Sequence, residues 1–377
     1  MKKIIYLASI INNRGGGASK SPVNLIDSMK KLNYEIYLLS NSPFSDIPLQ
    51  KSENLDFARI KYSIEGKLID NRRDKFYLRF IKTLKYVCIN FVTLKKKIYQ
   101  KEYDLLIVDN LNSHFAKTKN NIIHKKSYLI FRISPKFYFD YNKLSNEEDL
   151  FKIFDEYQKI IFPSKFVKKE WSNFFPKLKN KFEYLYNFID EVPIQKKRDK
   201  KIVIGCIGNF VYSKGQDLAL NAFNKIAKIR PDIEFYFAGK PLDDFGQKTV
   251  KDILKINKTF KSIKYLGYSK NIFKYLFNTD ILVIPSRTDM FPRVVLEGLY
   301  SKTIVVGSSV GGINDMIVNN FNGFLFESEN TNELIYVIEK ILKMPFKARE
   351  NLKLNAFNHY NKVFSQKNQV ERLKKIL

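Results

Sequence analysis

The two halves of this chain of 377 residues begin in the same way, with an apolar strand followed by a glycine-bearing loop and a helical stretch. In the first half, residues 2–9 (KKIIYLAS) precede a run of three glycines at 15–17. In the second half, residues 201–207 precede Gly208. A strand, a glycine loop and a helix in that order begin a doubly wound parallel sheet. The sequence therefore predicts an α/β protein with two Rossmann-like, doubly wound domains.

The polar stretch 191–200 (EVPIQKKRDK) is typical of a linker between the two halves. We expect a first domain over 1–190, a second over 201–355, and a C-terminal helix over 356–377 that can return to the first domain. Two such domains facing each other leave a cleft at the carboxyl ends of their strands, where ligands bind. Further strands are expected at 34–40, 104–108, 128–133, 159–162, 233–238, 263–266, 281–284 and 303–307, and helices at about 21–32 and 216–227.

The net charge of +28 at pH 7 admits three explanations. Lys supplies most of the positive charge, and Asn, Ile, Tyr and Phe are also abundant, so A/T-rich codon usage is the first. Attraction to an anionic membrane or to a phosphorylated acceptor is the second, and binding of nucleic acid is the third. The sequence contains no helix-turn-helix, zinc-finger or RNP-like motif, so we expect an anionic membrane surface as a partner and no nucleic acid.

The segment 76–98 combines apolar residues at helical spacing with a dense basic face. One interpretation is an amphipathic helix that packs on the first sheet and keeps its lysines in solvent. The other is a surface that meets anionic lipid, at about 1 kcal/mol for each Lys or Arg near the headgroups. The basic residues in and just before the segment are Arg72, Arg73, Lys75, Arg79, Lys82, Lys85, Lys95, Lys96 and Lys97.

The two cysteines, Cys88 and Cys206, lie far apart in apolar runs, which predicts buried free thiols in a reducing compartment. No secretory signal is evident, and no stretch approaches the ~18 apolar residues of a membrane span. We therefore expect a cytoplasmic protein, with peripheral attachment to the inner face of the cell membrane as the alternative.

The most informative motif is residues 285–298, PSRTDMFPRVVLEG. Asp289 precedes a tight loop at 290–292, and apolar residues lead to a second acid, Glu297. That order predicts the end of a strand, a turn and the beginning of a helix. The N-terminus of a helix offers unpaired N–H groups and a partial positive charge, so it can bind a phosphate. A carboxylate at either end of the loop can accept hydrogen bonds from sugar hydroxyls.

The spacing of two acids eight positions apart within this motif resembles the donor-binding signature of retaining GT-B glycosyltransferases of family 4 (glycosyl transferases group 1). Other segments resemble family motifs in the same order along nearly the whole chain. They are IIFPSKFVKKEW, YNFID (186–190), GNFVYSKGQDLAL (208–220), FAGKP (237–241), YLGYSKNI (265–272) and GGINDMIVNNFNGFLF (311–326).

The resemblance implies roles for particular residues. Lys214 would hold the donor diphosphate, Glu297 the ribose hydroxyls and Asp289 the transferred sugar, and Lys214, Asp289 and Arg132 would act in catalysis. The implied donor-binding residues are Gly16, Gly17, Gly208, Asn209, Lys214, Tyr268, Asp289, Phe291, Pro292, Arg293, Val294 and Glu297.

The chain departs from the family at three of these positions. Asn209 stands where an Arg is usual, and Arg293 is a candidate to supply the missing charge. Asp289 stands where Glu is usual, and Arg132 replaces a His at the end of a first-domain strand. The structural alternatives are a solvated Lys214, a solvent-facing Arg293, a plain turn residue at Asp289 and a tight turn without ligand at the three glycines.

The resemblance implies a retaining, hexosyltransferase-type enzyme without metal or other cofactor. It would move a sugar from a UDP-, GDP- or ADP-sugar to a hydroxyl of a glycan or lipid-linked acceptor, in surface glycan or glycolipid synthesis. Two rivals stay open from the sequence. One is a nucleotide-sugar epimerase or phosphorylase of the same architecture, and the other is a non-enzymatic basic module that binds membrane or nucleic acid.

Overall fold

The computed structural model describes residues 2–8, 17–40, 55–59, 101–111, 113–114, 122–141, 146–195 and 201–377. Gly16, Cys88 and the basic segment 76–98 lie outside these residues. The chain forms two compact units, Met1–Tyr186 together with Val370–Leu377, and Asn187–Gln369. The first unit thus ends before residue 190, where the sequence suggested a domain boundary, and the expected linker begins within the second unit.

The first unit is built on a parallel sheet with the strand order β3-β2-β1-β4-β5-β6-β7. Its strands bury near-continuous apolar runs, as expected where helices cover both faces of a parallel sheet. The strands are β1 (Lys3–Ala8), β2 (Glu35–Ser40), β3 (Leu55–Arg59), β4 (Tyr103–Asp109), β5 (His124–Ile130), β6 (Lys159–Phe162) and β7 (Phe182–Tyr184). The helices before the second unit are α1 (Gly17–Lys31), α2 (Pro135–Tyr141), α3 (Glu147–Asp155), α4 (Lys165–Phe174) and a 3-10 helix (Pro176–Lys181).

The second unit is built on a parallel sheet with the order β10-β9-β8-β11-β12-β13, which is the Rossmann order of two half-sheets meeting at their first strands. The strands are β8 (Val203–Ile207), β9 (Glu234–Ala238), β10 (Ile263–Tyr265), β11 (Ile281–Ile284), β12 (Ile304–Ser308) and β13 (Gly323–Phe326). The helices are α5 (Gln216–Ile229), α6 (Asp244–Thr259), α7 (Phe273–Leu276), α8 (Arg293–Tyr300), α9 (Thr331–Lys343) and α10 (Phe346–His359), with 3-10 turns at Tyr212–Lys214 and Gly311–Asp315.

The expected single C-terminal helix is broken into several pieces. Helix α10 ends at His359, a π-helical segment covers Tyr360–Phe364, and α11 (Gln366–Ile376) follows. The last residues of α11 belong to the first unit, where Leu373 and Ile376 are buried in the same apolar cluster as the first strand and α1.

Polar contacts to the first unit also anchor the end of α11. The Arg372 guanidinium lies 3.5 Å from the centroid of the Tyr184 ring, and Arg372 Nε donates to the Tyr184 carbonyl at 2.7 Å. Lys159 Nζ donates to the carbonyl of Ile376 at 2.5 Å. The end of α11 is therefore part of the first unit's packing and not a loose tail.

Helix α8 packs against the second sheet at Gly298, where there is no room for a side chain. A Cβ at Gly298 would lie 2.7 Å from Leu282 Cδ2 and 2.9 Å from Val305 Cγ2, so a larger residue would push the helix away from β11 and β12. The glycine that follows Glu297 in the motif therefore allows the second half of α8 to pack directly on β11 and β12.

The prediction of two Rossmann-like α/β domains is confirmed, and the differences are local. The strands β3, β7 and β13 were not predicted. Strand β5 was expected at 128–133 but begins at the polar His124 and ends at Ile130. Pairing with β4, from Tyr103 opposite His124 to Asp109 opposite Ile130, sets these limits.

Candidate functional site

The predicted donor-binding residues of the second half gather at the carboxyl edge of the second sheet. Gly208 and Asn209 follow β8, Tyr268 follows β10, and the loop carrying Asp289 follows β11. Strands β8 and β11 are neighbours, and the chain winds outward from them in opposite directions. This is the switch point at which open α/β sheets bind their ligands.

The loops after β8 and β11 meet at Lys214 and Asp289. Lys214 ends the 3-10 turn Tyr212–Lys214, and its Nζ lies 2.5 Å from Asp289 Oδ2. The Asp289 side chain is 9% exposed and that of Lys214 is 35% exposed. The two residues assigned from the sequence to the sugar and to the diphosphate therefore contact each other directly, and Asp289 does more than end a turn.

The backbone after Asp289 rests on two glycines of the block at 311–326. Gly312 N donates to the Asp289 carbonyl at 2.9 Å. A Cβ at Gly311 would lie 1.9 Å from that same oxygen, and a Cβ at Gly312 would lie 1.9 Å from the Met290 carbonyl oxygen. Gly311 also has a φ of +52°, a conformation that glycine adopts at low cost. The two glycines thus allow the loop after β11 to pack closely against the loop after β12.

A third glycine brings the Lys214 turn against β11. Gly215 has a φ of +66°, and a Cβ there would lie 2.0 Å from the Pro285 carbonyl oxygen. It is the N-cap of α5, so the turn and the helix both begin from this contact. The Lys-Gly pair of the sequence motif is therefore a packing requirement as well as a source of charge.

Sequence reasoning missed Arg287, which lies two residues before Asp289. Its guanidinium makes a bidentate pair with Asp217, at 2.9 and 2.7 Å, and bonds to Glu329 at 2.9 Å. The hydrogen bonds to Asp217 raise the pKa of Arg287 above its ordinary value, and the bond to Glu329 adds to this effect. Burial opposes both. Nothing in the local sequence indicates these partners, because Asp217 and Glu329 lie 70 and 42 positions away in the sequence.

Arg293 and Glu297 lie one turn apart on α8, and both are only 8% exposed. Arg293 is the first residue of the helix, after Pro292 as N-cap. One terminal nitrogen donates to the Phe188 carbonyl at 2.7 Å, while the buried Nε has no hydrogen-bond partner among the described residues. The solvent-facing interpretation of Arg293 is therefore wrong.

The remaining residues of the loop before α8 are mostly packing residues. Phe291 is 6% exposed and packs on Phe364 of the π-helical segment, with ring centroids 5.9 Å apart. Pro292 is buried and Val294 is half-buried. Since the Phe291 side chain is in the core, a ligand at this loop would meet its backbone.

The residues after β8 are held by hydrogen bonds to their backbone, whereas Tyr268, after β10, has an exposed ring. Gly208 N donates to the Ala238 carbonyl at 2.9 Å, which joins the loop to β9. The Asn209 carbonyl accepts from Gln216 Nε2 at 2.8 Å, so the first residue of α5 fixes its backbone. Tyr268 is 53% exposed, which leaves its ring free to stack on a planar group.

In the first unit, Arg132 lies two residues beyond the end of β5 and is held by Asp109, the last residue of β4. The guanidinium and the carboxylate form a bidentate pair with one N–O distance of 3.0 Å, and the Tyr6 hydroxyl donates to Asp109. Burial opposes the positive charge, but Asp109 outweighs it and raises the pKa of Arg132. Burial, and next the charge of Asp109, raises the pKa of Tyr6.

Gly17, the last glycine of the run, is the first residue of α1. Cys206 is a buried free thiol, as predicted, and burial raises its pKa above the usual range. Within the described ranges, no three or more His, Cys, Asp or Glu side chains are grouped to hold a metal ion. No helix in that part of the chain is long and apolar enough to cross a membrane.

Comparison with known proteins gives several relatives. An uncharacterized glycosyltransferase of Methanocaldococcus jannaschii is 25% identical over 287 residues, 71% of this chain and 73% of that protein. An uncharacterized glycosyltransferase of Haemophilus influenzae is 23% identical over 355 residues, 92% of each chain. An uncharacterized 41.2 kDa protein in the cps region of Klebsiella pneumoniae is 25% identical over 177 residues, 43% of this chain and 46% of that protein.

Two solved structures resemble this one over its whole length. Sucrose-phosphate synthase from Thermosynechococcus elongatus gives a TM-score of 0.75 at 14% identity, covering 100% of this chain and 98% of that one. Anabaena HepE, solved in complex with UDP and glucose, gives a TM-score of 0.68 at 16% identity, covering 100% and 99%. At these identities the likeness establishes the fold, which is GT-B.

A family match covers residues 188–359, nearly all of the second unit and all of its predicted donor-binding residues. Residues 188–359 match the model of the Glycosyl transferases group 1 family, and the relatives and the GT-B fold agree with that match.

Proposed function

We propose that the chain is a retaining glycosyltransferase of the hexosyltransferase type, which moves a sugar from a nucleoside-diphosphate sugar to a hydroxyl group. The observation that carries this proposal is the buried cation at the beginning of α8. Arg293 is 8% exposed, and its Nε is buried without a hydrogen-bond partner among the described residues. A cation beside the positive end of a helix is unfavourable unless an anion is bound there. A phosphate of the donor would be that anion.

Two neighbouring features support the same placement of the donor. Lys214, at the other side of the switch point, keeps 35% of its side chain exposed and can reach a second phosphate oxygen. Glu297 lies one turn after Arg293 and is 8% exposed, where a buried carboxylate can accept bonds from the two ribose hydroxyls. The diphosphate would thus lie between Lys214 and Arg293, with the ribose beside α8.

In the reaction, the bond from the anomeric carbon to the diphosphate oxygen breaks, and its electron pair stays on the diphosphate. The acceptor oxygen forms the new bond through an oxocarbenium-like transition state, and its proton passes to the diphosphate oxygen that has just been released. Lys214, Arg293 and the N–H groups at the N-terminus of α8 would stabilise the charge that develops on the diphosphate. Because side chains and helix termini do this work, we propose a reaction without a metal or other cofactor. Retention rests on the family resemblance.

We propose a UDP-sugar as the first donor to test, with GDP- and ADP-sugars next. The fold neighbour HepE was solved with UDP and glucose, which supports this order. The half-exposed Tyr268 ring at the end of β10 would stack on the base, and the backbone of Gly208 and Asn209 would line the phosphate side.

Asp289 is proposed to serve the transferred sugar and Lys214 together. It is one methylene shorter than the usual Glu and already touches Lys214 Nζ at 2.5 Å. One carboxylate oxygen can hold the ammonium while the other accepts from a sugar hydroxyl. From the first domain, we propose that Gly16 and Gly17 would approach the donor and that Arg132 would add positive charge near the reacting sugar.

We propose that the acceptor belongs to a surface glycan or a lipid-linked glycan, and that the protein works at the inner face of the cell membrane. The relative in the cps region of Klebsiella pneumoniae and the net charge of +28 support this. Cosedimentation with anionic vesicles tests the membrane part, with Gln at Arg72, Arg73, Arg79, Lys82 and Lys85 as the variant. Binding that falls with salt and with these substitutions is expected.

A thermal-shift screen tests the proposed function. UDP, GDP, ADP and their hexose conjugates are each added to the protein, since a ligand that binds only the folded state raises the melting temperature. We expect one nucleoside diphosphate and its sugar to raise it at sub-millimolar concentration, and the sugar to be transferred to an added glycan or lipid acceptor. A chain stabilised by none of them would not be a glycosyltransferase of this kind.

A further inference from the structure

We infer that Arg287 is a positioning residue that holds Lys214 in place for the donor diphosphate. The inference rests on the proposed function, because it depends on Lys214 serving the diphosphate. Arg287 lies in the loop after β11, and its side chain is 12% exposed. Each nitrogen of its guanidinium is bonded within the second unit, so it acts through its neighbours rather than on a ligand.

Arg287 holds the backbone of the Lys214 turn at two successive carbonyls. Its own N–H donates to the Ser213 carbonyl at 2.8 Å, and its Nη1 donates to the Tyr212 carbonyl at 2.8 Å. These two residues immediately precede Lys214, whose N–H completes the turn by donating to the Val211 carbonyl at 2.9 Å. The loop after β11 therefore fixes the backbone from which the lysine side chain projects.

The same guanidinium also contacts the Tyr212 ring of the turn, helix α5 and the segment after β13. It stacks over the Tyr212 ring at 4.0 Å, and pairs with Asp217 in the first turn of α5. It also bonds to Glu329, beyond β13. A planar fork with five N–H donors can bond two carboxylates and a carbonyl while stacking on a ring, whereas the ammonium of Lys cannot.

The consequence for Lys214 follows from its flexible side chain. Its backbone is fixed by Arg287 on one side and by the contact of Gly215 with Pro285 on the other. Its ammonium is held by Asp289, which comes from the same loop as Arg287. One loop thus sets both ends of the lysine, and the position of the charge depends on Arg287 even though Arg287 lies outside the proposed phosphate contacts.

The experiment compares Arg287→Lys, Lys214→Met and the double variant. Calorimetry gives the Kd of UDP, or of GDP or ADP if one of these gives the larger thermal shift with the unchanged protein. We expect each single substitution to raise the Kd about tenfold, as for loss of a charged hydrogen bond. The double variant should bind within about twofold of Lys214→Met alone, because groups that act through one contact are not additive.

Arg230→Lys is the matched control. Arg230 makes a similar bidentate pair with Asp232, at 2.9 and 2.6 Å, on an exposed loop of the same unit. This variant should keep the Kd within about twofold of the original. If Arg287→Lys does not fold, Asp217→Asn removes the charge partner with little change in shape, and should raise the Kd in the same Lys214-dependent way.

The possible results separate the inference from the proposed function. A lowered melting temperature with an unchanged Kd in Arg287→Lys would show that the arginine is only structural, and would overturn the inference while donor binding stands. Losses that add in the double variant would also overturn it, because Arg287 would then act independently of Lys214. If the unchanged protein binds none of the three nucleotides, the proposed function fails and the inference fails with it.

Discussion

Each of the two sheets carries a network of charged side chains at its carboxyl edge. The two networks differ in how far their cations are exposed. In the first unit, Arg132 is paired with Asp109, and the Asp109 side chain is only 2% exposed. In the second unit, Arg287 is likewise paired with a carboxylate, that of Asp217, and it also bonds to the turn that carries Lys214. The Lys214 side chain is 35% exposed. Arg132 and Lys214 thus each pair with a largely buried carboxylate, but the Lys214 side chain keeps 35% of its surface exposed against 22% for that of Arg132. We expect the first network to matter most for stability and the second for ligand binding.

The largest expected effect is on stability, from Arg132→Gln. This substitution leaves the buried Asp109 without its counter-charge, which typically costs about 3–5 kcal/mol in the free energy of unfolding. Lys125→Gln is the control, because Lys125 pairs with Asp104 across the same two strands but is 58% exposed. Such an exposed pair is worth about 0–1 kcal/mol. Urea unfolding of both variants measures the difference, and equal losses would contradict the expected contribution of the first network to stability.

The next effect is on binding, from Glu297→Gln. Loss of the carboxylate that would hold the ribose should weaken nucleotide binding by about 1.5–3 kcal/mol while the fold is kept. Calorimetric titration with the nucleotide found in the thermal-shift screen measures it, and circular dichroism checks the fold. Glu339→Gln is the control and should bind normally, since Glu339 lies on α9, is 35% exposed and pairs with Lys343. Undiminished affinity in Glu297→Gln would remove Glu297 from the site.

A smaller gain is expected from Asn209→Arg, which restores the residue usual in the family. A second cation on the diphosphate should strengthen binding by about 1 kcal/mol. If Arg293 already fills this role, the gain should be larger in an Arg293→Ala background, because two groups that share one partner are non-additive. Dissociation constants of the four proteins in this cycle give the answer. The same gain in both backgrounds would argue against compensation by Arg293.

The smallest expected effect is that of a chelator. With Lys214 and Arg293 on the diphosphate, sugar transfer should proceed at the same rate after treatment with EDTA as before it. Transfer assays with and without EDTA, followed by added magnesium or manganese, measure this. Complete loss that either metal restores would show that a cation performs the work assigned to the side chains, and would weaken the contrast between the two networks.

The sequence predicted the parts of the site that are local and missed those that depend on which loops meet. Lys214 and Asp289 were assigned from their resemblance to family motifs and the beginning of α8 from residue order, and the structure places Lys214 against Asp289 in the loop before α8. The sequence could not predict the role of Arg287, because its partners lie 70 and 42 positions away. The close packing of Gly311 and Gly312 against the loop after β11 could not be predicted either, because it depends on the contact between the loops after β11 and β12.

Arg132 shows the same limit in the first unit. The sequence predicted that Arg132 lies near the end of a strand and carries a positive charge. Its partner Asp109 ends a different strand, and only the parallel register of β4 and β5, with Asp109 opposite Ile130, brings them together. The sequence therefore indicated the charge of Arg132 but not its pairing with Asp109.

The return of α11 to the first unit has a consequence for the order of events during synthesis. Leu373 and Ile376 fill the same apolar cluster as Ile4 and Leu25, so this cluster cannot close while residues 370–377 are still within the ribosome. The second unit needs only the uninterrupted stretch Asn187–Gln369. The first unit should thus complete its core only after the second unit has been translated, and its apolar cluster stays open until then.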